Sequence, residues 1–252
     1  MEFNEDTQKI LGIGLSILSV LLVVFWFFIA FKYPFISVDE WYTKGLVYFK
    51  IKDLLAAVSI DVHPPLYYLI LKFAMTAFGY FGVSSHSIYA VRVVSIIPYA
   101  IIMVISYVKI RKDYGWLTAG LFMFSLGVMS QFFFYFLIAR MYGWAILFII
   151  VAFLSFGEII KGGGVKSWIV LTVFSVLCAY THYFAAISVA CIYIILLAYI
   201  IKFERDKLKM WAISVAAAAI LYIPWIPSLI RQMTQVHAAY WIRQVNPEML
   251  VK

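Results

Sequence analysis

The chain has 252 residues, 65% of them hydrophobic, 19% aromatic and only 13% charged, far more apolar than the roughly 45–50% typical of a soluble domain. That composition implies an integral membrane protein with an all-α polytopic fold. The net charge of +8 reflects basic residues beside apolar runs, as membrane orientation requires, and gives no ground for a nucleic-acid partner.

In chain order, apolar segments fall at residues 10–31, 88–108, 115–137, 141–160, 167–181, 184–201 and 210–230, each approaching the ~20 residues that cross a bilayer core. The first follows a mixed polar start and lacks a small-residue exit, so it reads as a retained span rather than a signal peptide. An eighth run, 66–81, is shorter, carries Lys72 and follows Pro64 and Pro65. The dense basic loops at Lys109, Arg111 and Lys112, at Lys161 and Lys166, and at Lys202, Arg205, Lys207 and Lys209 all share the N-terminal side only if 66–81 does not cross. The positive-inside rule then predicts seven spans with the N-terminus in the cytoplasm. On this reading residues 32–87 form one long extracytoplasmic loop with 66–81 as a helix along the outer surface. Cys178 and Cys191, both inside apolar runs, read as two buried small residues.

This topology places all four histidines, His63, His86, His182 and His237, outside, with Arg92, Arg140 and Arg231 at outer helix ends. "FKYPFISVDEWYTKG", residues 31–45, sets Asp39 and Glu40 just past the first span, where carboxylates are costly unless they meet cations, water or a substrate. Asp39 is a candidate general base, with Glu40 as its neighbour in the site; Ser37 followed by Glu40 three residues later equally reads as a helix capping box. "DVHPPLYYLILK", residues 61–72, uses two prolines to hold His63 rigidly before a helix. "IARMYGW", residues 138–144, offers Arg140 and Tyr142 as donors to phosphate oxygens. "YTHYF", residues 180–184, adds His182, and "PWIPSLIRQ", residues 224–232, adds Arg231. Two carboxylates and four histidines leave a divalent metal ion open, although no H-E-x-x-H or paired-cysteine spacing occurs.

The order and sidedness of these motifs, DE, then HPPLYYL, then the arginine of IYAVR, then ARMY and THYF, resemble the C-type (GT-C) membrane glycosyltransferases over about residues 10–243. The nearest branch is that of the protein O-mannosyltransferases and bacterial aminoarabinose transferases. The resemblance implies a single module over residues 1–252, with juxtamembrane helices in the first outer loop. It also implies inverting transfer of a sugar from a polyprenyl or dolichyl phosphate to an acceptor hydroxyl at the extracytoplasmic face. Carried over by position, Asp39 is the base and Glu40 its neighbour, while His63, Arg92, Arg140, Tyr142, His182 and Arg231 are candidates for the donor phosphate. The expected partners are the lipid-linked donor, membrane lipids and an acceptor protein, lipid or glycan. A prokaryotic plasma membrane is favoured over the endoplasmic reticulum. Members of this family usually continue well past the point corresponding to Lys252, so a missing C-terminal half or a partner subunit is a further expectation. The alternatives are a lipid-linked sugar transporter or flippase and a non-catalytic subunit of a glycosylation complex. Against the transporter, charges gather at helix ends and no internal repeat occurs.

Overall fold

The computed structural model describes residues 4–32, 36–82 and 87–238. All regular structure among them is helical: α1 (Glu5–Lys32), α2 (Val38–Leu46), α3 (Ile51–Ser59), α4 (Leu66–Tyr80), α5 (Ile88–Ile105), α6 (Arg111–Val128), α7 (Ser130–Leu137), α8 (Tyr142–Ile160), α9 (Val165–Thr181), α10 (Tyr183–Phe203), α11 (Leu208–Tyr222) and α12 (Ile226–Ala238). Among the described residues, five stretches are long and apolar enough to cross a membrane: Glu5–Lys32, Ile88–Val128, Tyr142–Ile160, Tyr183–Phe203 and Arg205–Gln235. Leu66–Tyr80 and Val165–Thr181 are shorter apolar helices.

The stretch Ile88–Val128 is interrupted. Gly115 has φ 89° and ψ 170°, a backbone region that costs a side-chain-bearing residue energy and glycine almost none. Beyond it the chain folds back, because Ser106 Oγ donates to the Ala119 carbonyl at 3.2 Å. In a straight helix those residues would be about 20 Å apart. Just before the reversal the helix widens into a π-turn at Ser106–Ile110.

Small residues set the closest helix contact. A Cβ on Gly120 would lie 2.3 Å from the Gly12 carbonyl oxygen, and one on Gly12 would lie 2.2 Å from that of Trp116. Seven residues on from Gly12, Ser19 Oγ donates to the Met123 carbonyl at 2.8 Å. Between apolar helices in lipid, close backbone approach and hydrogen bonds across the seam supply the association energy that hydrophobic burial supplies in water. Replacing Gly120 with valine is therefore expected to separate α1 from α6. A fall in melting temperature of the detergent-solubilised protein checks this, and an unchanged value would contradict the seam.

Buried side chains form two clusters. One runs through the bundle, with Phe136, Leu171, Leu196 and Ile200 fully enclosed. The other, with Leu54, Val58, Tyr67, Tyr68, Leu71 and Met75, anchors the helices of the first loop onto α5, the α7–α8 turn and Trp225. α4 is apolar but only 15 residues long, about 22 Å, and it buries Tyr67, Tyr68, Leu71 and Met75 against the second cluster. Cys178 is buried, but Cys191 is exposed on α10, correcting the expectation that both are enclosed. An apolar helix facing lipid carries the same residues as one facing a core.

Charge collects at the two ends of α8. At its C-terminal end Lys109 pairs with Asp113 at 2.7 Å and with Glu158, and Lys161 lies 3.8 Å from Asp113. At its N-terminal end, about 28 Å away for 19 residues, lie the candidate site residues.

Candidate functional site

The site is built from α2 upward. Ser37 is the N-cap of α2: its side chain accepts from the Glu40 amide at 3.2 Å, and its own amide donates to Glu40 Oε2 at 3.1 Å. This is the capping box expected from the spacing. Glu40 does more than cap, because it is fully buried. Arg92 Nε donates to Oε1 at 2.8 Å and Arg92 Nη2 to Oε2 at 2.9 Å, while the Ala139 amide donates to Oε1 at 3.0 Å. Burial alone would raise the Glu40 pKa, but the bonds from Arg92, Ala139 and Ser37 outweigh it and hold the carboxyl below its ordinary range.

The sign of the resulting pH dependence is fixed. A carboxyl whose folded pKa lies below the unfolded value stabilises above the unfolded value, and loses that contribution as pH falls through the folded one. Thermal stability is therefore expected to drop on acidification below the ordinary carboxylate range, and less steeply in a Glu40→Gln variant. Removing only the cap, by Ser37→Ala, is expected to cost about 1 kcal/mol, read as a small shift in melting temperature.

One residue earlier on the same helix, Asp39 has a side chain 65% exposed. Its Oδ2 lies 4.0 Å from Arg140 Nε, too far for a hydrogen bond. Arg140 stands in the tight turn between α7 and α8, where its amide bonds the Ile138 carbonyl at 2.7 Å. Its side chain is only 4% exposed. Nη1 donates to Thr43 Oγ1 and to Tyr68 Oη, each at 3.3 Å, and Nη2 lies 3.2 Å from His63 Nδ1. Nε is buried with no hydrogen-bond partner. Arg140 thus keeps one buried guanidinium donor without a hydrogen-bond partner beside an exposed carboxylate, and a buried donor left unsatisfied marks a place where an anion or a polar ligand can bond.

Pro64 and Pro65 lead into α4 and set His63 against this turn. His63 Nδ1 lies 3.6 Å from Asp61 Oδ2, and Tyr68 Oη donates to that same oxygen at 3.2 Å. Burial would raise the Asp61 pKa, but His63, the Val62 amide and Arg140 together lower it. His182 caps α10, accepting from the Phe184 amide through Nδ1 at 3.2 Å. Its ring centroid lies 5.6 Å from those of His63 and Tyr142, and Tyr142 meets Tyr135 at 4.9 Å. Burial, then the nearby His63 and Arg140, push the His182 pKa down to about 4, so this imidazole is neutral at neutral pH.

Asp39, His63, Arg140, Tyr142 and His182 thus come together from α2, the first loop, the α7–α8 turn, α8 and the α9–α10 hairpin. Glu40 and Arg92 form a buried ion pair of their own, with Arg92 Nε 2.8 Å from Glu40 Oε1. Arg231 is exposed on α12 and makes none of these contacts. His86 and the side chain of His237 lie outside the described residues. Asp61, Thr43 and Tyr68 belong to the cluster without having been singled out by motif. For Asp61 the signal was present in its position two residues before His63. Among the described residues, no group of three or more His, Cys, Asp or Glu side chains converges as a metal site.

Beside this cluster, a groove of about 500 Å³ is lined by Leu55, Pro65, Leu66, Leu69, Tyr180 and Trp225 among others. It is mostly apolar, with Ser59 and Ser228 also in its lining. Comparison with protein-family models, curated proteins and solved structures gives no match to the chain.

Proposed function

We propose that the chain is the membrane module of a glycosyltransferase that moves a sugar from a polyprenyl or dolichyl phosphate to an acceptor hydroxyl at the extracytoplasmic face. The observation that carries this reading is the exposed Asp39 carboxylate facing the buried, partly unpaired Arg140 guanidinium. In the proposed reaction Asp39 accepts the proton of the acceptor hydroxyl as its oxygen attacks the anomeric carbon. The bond from that carbon to the phosphate oxygen breaks, and the lipid phosphate leaves with its negative charge facing Arg140. Attack opposite the leaving group inverts the anomeric centre. Glu40 takes no proton in this scheme: its oxygens are occupied by Arg92, Ala139 and Ser37, and its work is to hold α2 and the α7–α8 turn in register. The apolar groove beside Pro65 suits the first units of an isoprenoid tail.

The same reading takes the bundle as seven spans. Gly115 divides Ile88–Val128 into two, α7 extends the second, and α9 crosses despite its 17 residues. With α1, α8, α10 and α11–α12 these make seven, and α2, α3 and α4 lie at the outer surface. The N-terminus and the Lys109 cluster then face the cytoplasm, following the basic loops, and a prokaryotic plasma membrane is the proposed setting.

Donor binding tests the reading. Arg140→Ala is expected to weaken binding of a short-chain polyprenyl phosphate by about 10- to 100-fold, the worth of a hydrogen bond to a charged group. The measurement is calorimetric titration in detergent, with circular dichroism to verify the fold. Equal affinity in a folded variant would remove Arg140 as the phosphate ligand.

A further inference from the structure

The His63 imidazole presents one nitrogen to two incompatible partners. Arg140 Nη2 lies 3.2 Å from Nδ1, and a guanidinium has donors only, so that contact forms when Nδ1 is unprotonated. Asp61 Oδ2 lies 3.6 Å from the same Nδ1, and an ionised carboxylate has acceptors only, so closing that contact needs Nδ1 to carry a proton. Neutral imidazole with its proton on Nε2 satisfies the first, and imidazolium satisfies the second.

We infer that Asp61 and His63 form a proton-operated latch on Arg140, releasing the guanidinium for an anionic ligand when His63 takes up a proton. With His63 neutral, Nδ1 accepts from Arg140 Nη2 and holds the guanidinium against Thr43 and Tyr68. One proton from water converts Nδ1 to a donor, the imidazolium turns to Asp61, and Nη2 joins the unpaired Nε in facing the ligand. Asp61 is a positioning residue in this device. It acts through His63 and touches no ligand.

The charged and titratable groups around His63 agree with this assignment. Asp61 lies on its own segment, Arg140 comes from the α7–α8 turn, and His182 comes from the α9–α10 hairpin. Tyr68 of α4 braces Asp61, and Asp39 of α2 lies on the far side of Arg140. Of the two imidazoles His63 is the one beside a carboxylate, with Asp61 Oδ2 3.6 Å from its Nδ1. Imidazole is also the side chain whose charge ordinarily changes between about pH 5 and 8.

The inference rests on the proposed donor site, because the released guanidinium needs a phosphate to receive it. Its test uses an isoprenoid phosphodiester, which keeps a single negative charge throughout the range and matches the phosphodiester of a lipid-linked sugar. Titrations across pH 5–8, in buffers of differing ionisation heat, read both affinity and protons taken up.

Wild type is expected to take up one proton per ligand and to lose affinity about tenfold per pH unit once His63 is neutral. His63→Gln is expected to flatten the profile, and Asp61→Asn to move the fall to lower pH, since the imidazolium loses its counter-charge. A merely structural Asp61 would lower stability without moving that profile.

Imidazole ¹⁵N spectra of the unliganded wild type, assigned through His63→Gln, are expected to show the Nε2–H tautomer in the neutral state. An Nδ1–H tautomer overturns the latch whether or not the Asp61 variant folds. Binding that is tight, flat with pH and free of proton uptake overturns the latch and leaves the proposed function standing. No phosphodiester binding at any pH overturns both.

Discussion

Asp39→Asn is expected to leave the protein folded, to leave donor affinity within about twofold of wild type, and to lower turnover by about 10²- to 10⁴-fold, the usual contribution of a positioned general base. The physical basis is the isolation of this side chain. Asp39 is 65% exposed and its closest charged partner is 4.0 Å away, so amidation removes no buried hydrogen bond and creates no cavity. Surface changes of this kind usually stay within about 0.5 kcal/mol of wild-type stability. Loss of turnover without loss of fold or of donor binding would therefore be chemical in origin. The check is release of free lipid phosphate from a polyprenyl-phosphate sugar, read beside melting temperature.

Glu40→Gln, one residue along, is expected to do the reverse and act on the fold. The Glu40 carboxylate is fully buried and bonded to the Arg92 guanidinium through both oxygens, with the Ala139 and Ser37 amides as further donors. Neutralising it leaves a buried guanidinium without its counter-charge, a change that costs about 3–5 kcal/mol when one partner of such a pair is removed. Because Glu40 joins α2 to both α5 and the α7–α8 turn, the loss would propagate to Arg140 and reduce donor binding as well. Chemical or thermal denaturation in detergent measures it. A stable Glu40→Gln variant with normal binding and no turnover would reassign Glu40 to the chemistry.

The contrast between these neighbours shows what the sequence made legible. The apolar runs announced the helices, and the Ser37–Glu40 spacing announced the capping box that the structure contains. The sequence also marked the stretches that carry Asp39, His63, Arg140, Tyr142 and His182. It did not show that Arg92 and Glu40, 52 residues apart, pair through both carboxylate oxygens, because partner choice among several arginines is decided by packing. Nor did it single out Asp61, whose role depends on the geometry of one imidazole nitrogen. Hydropathy placed Cys191 in an apolar helix but could not say whether that face meets lipid or protein, since both select the same side chains. Length and the two prolines mark the short α4 in the sequence, and its burial of Tyr67 and Tyr68 is what turns the first loop into a wall of the site.

The most direct test of the central claim is reconstitution of the purified chain in vesicles containing a radiolabelled polyprenyl-phosphate sugar, with a mixed pool of hydroxyl acceptors supplied to each face in turn. Free polyprenyl phosphate and labelled acceptor are measured for wild type and Asp39→Asn. The account predicts sugar transfer by wild type only, and only to acceptors on the face that carries Asp39. Equal transfer by both proteins, or donor bound by neither, would contradict it.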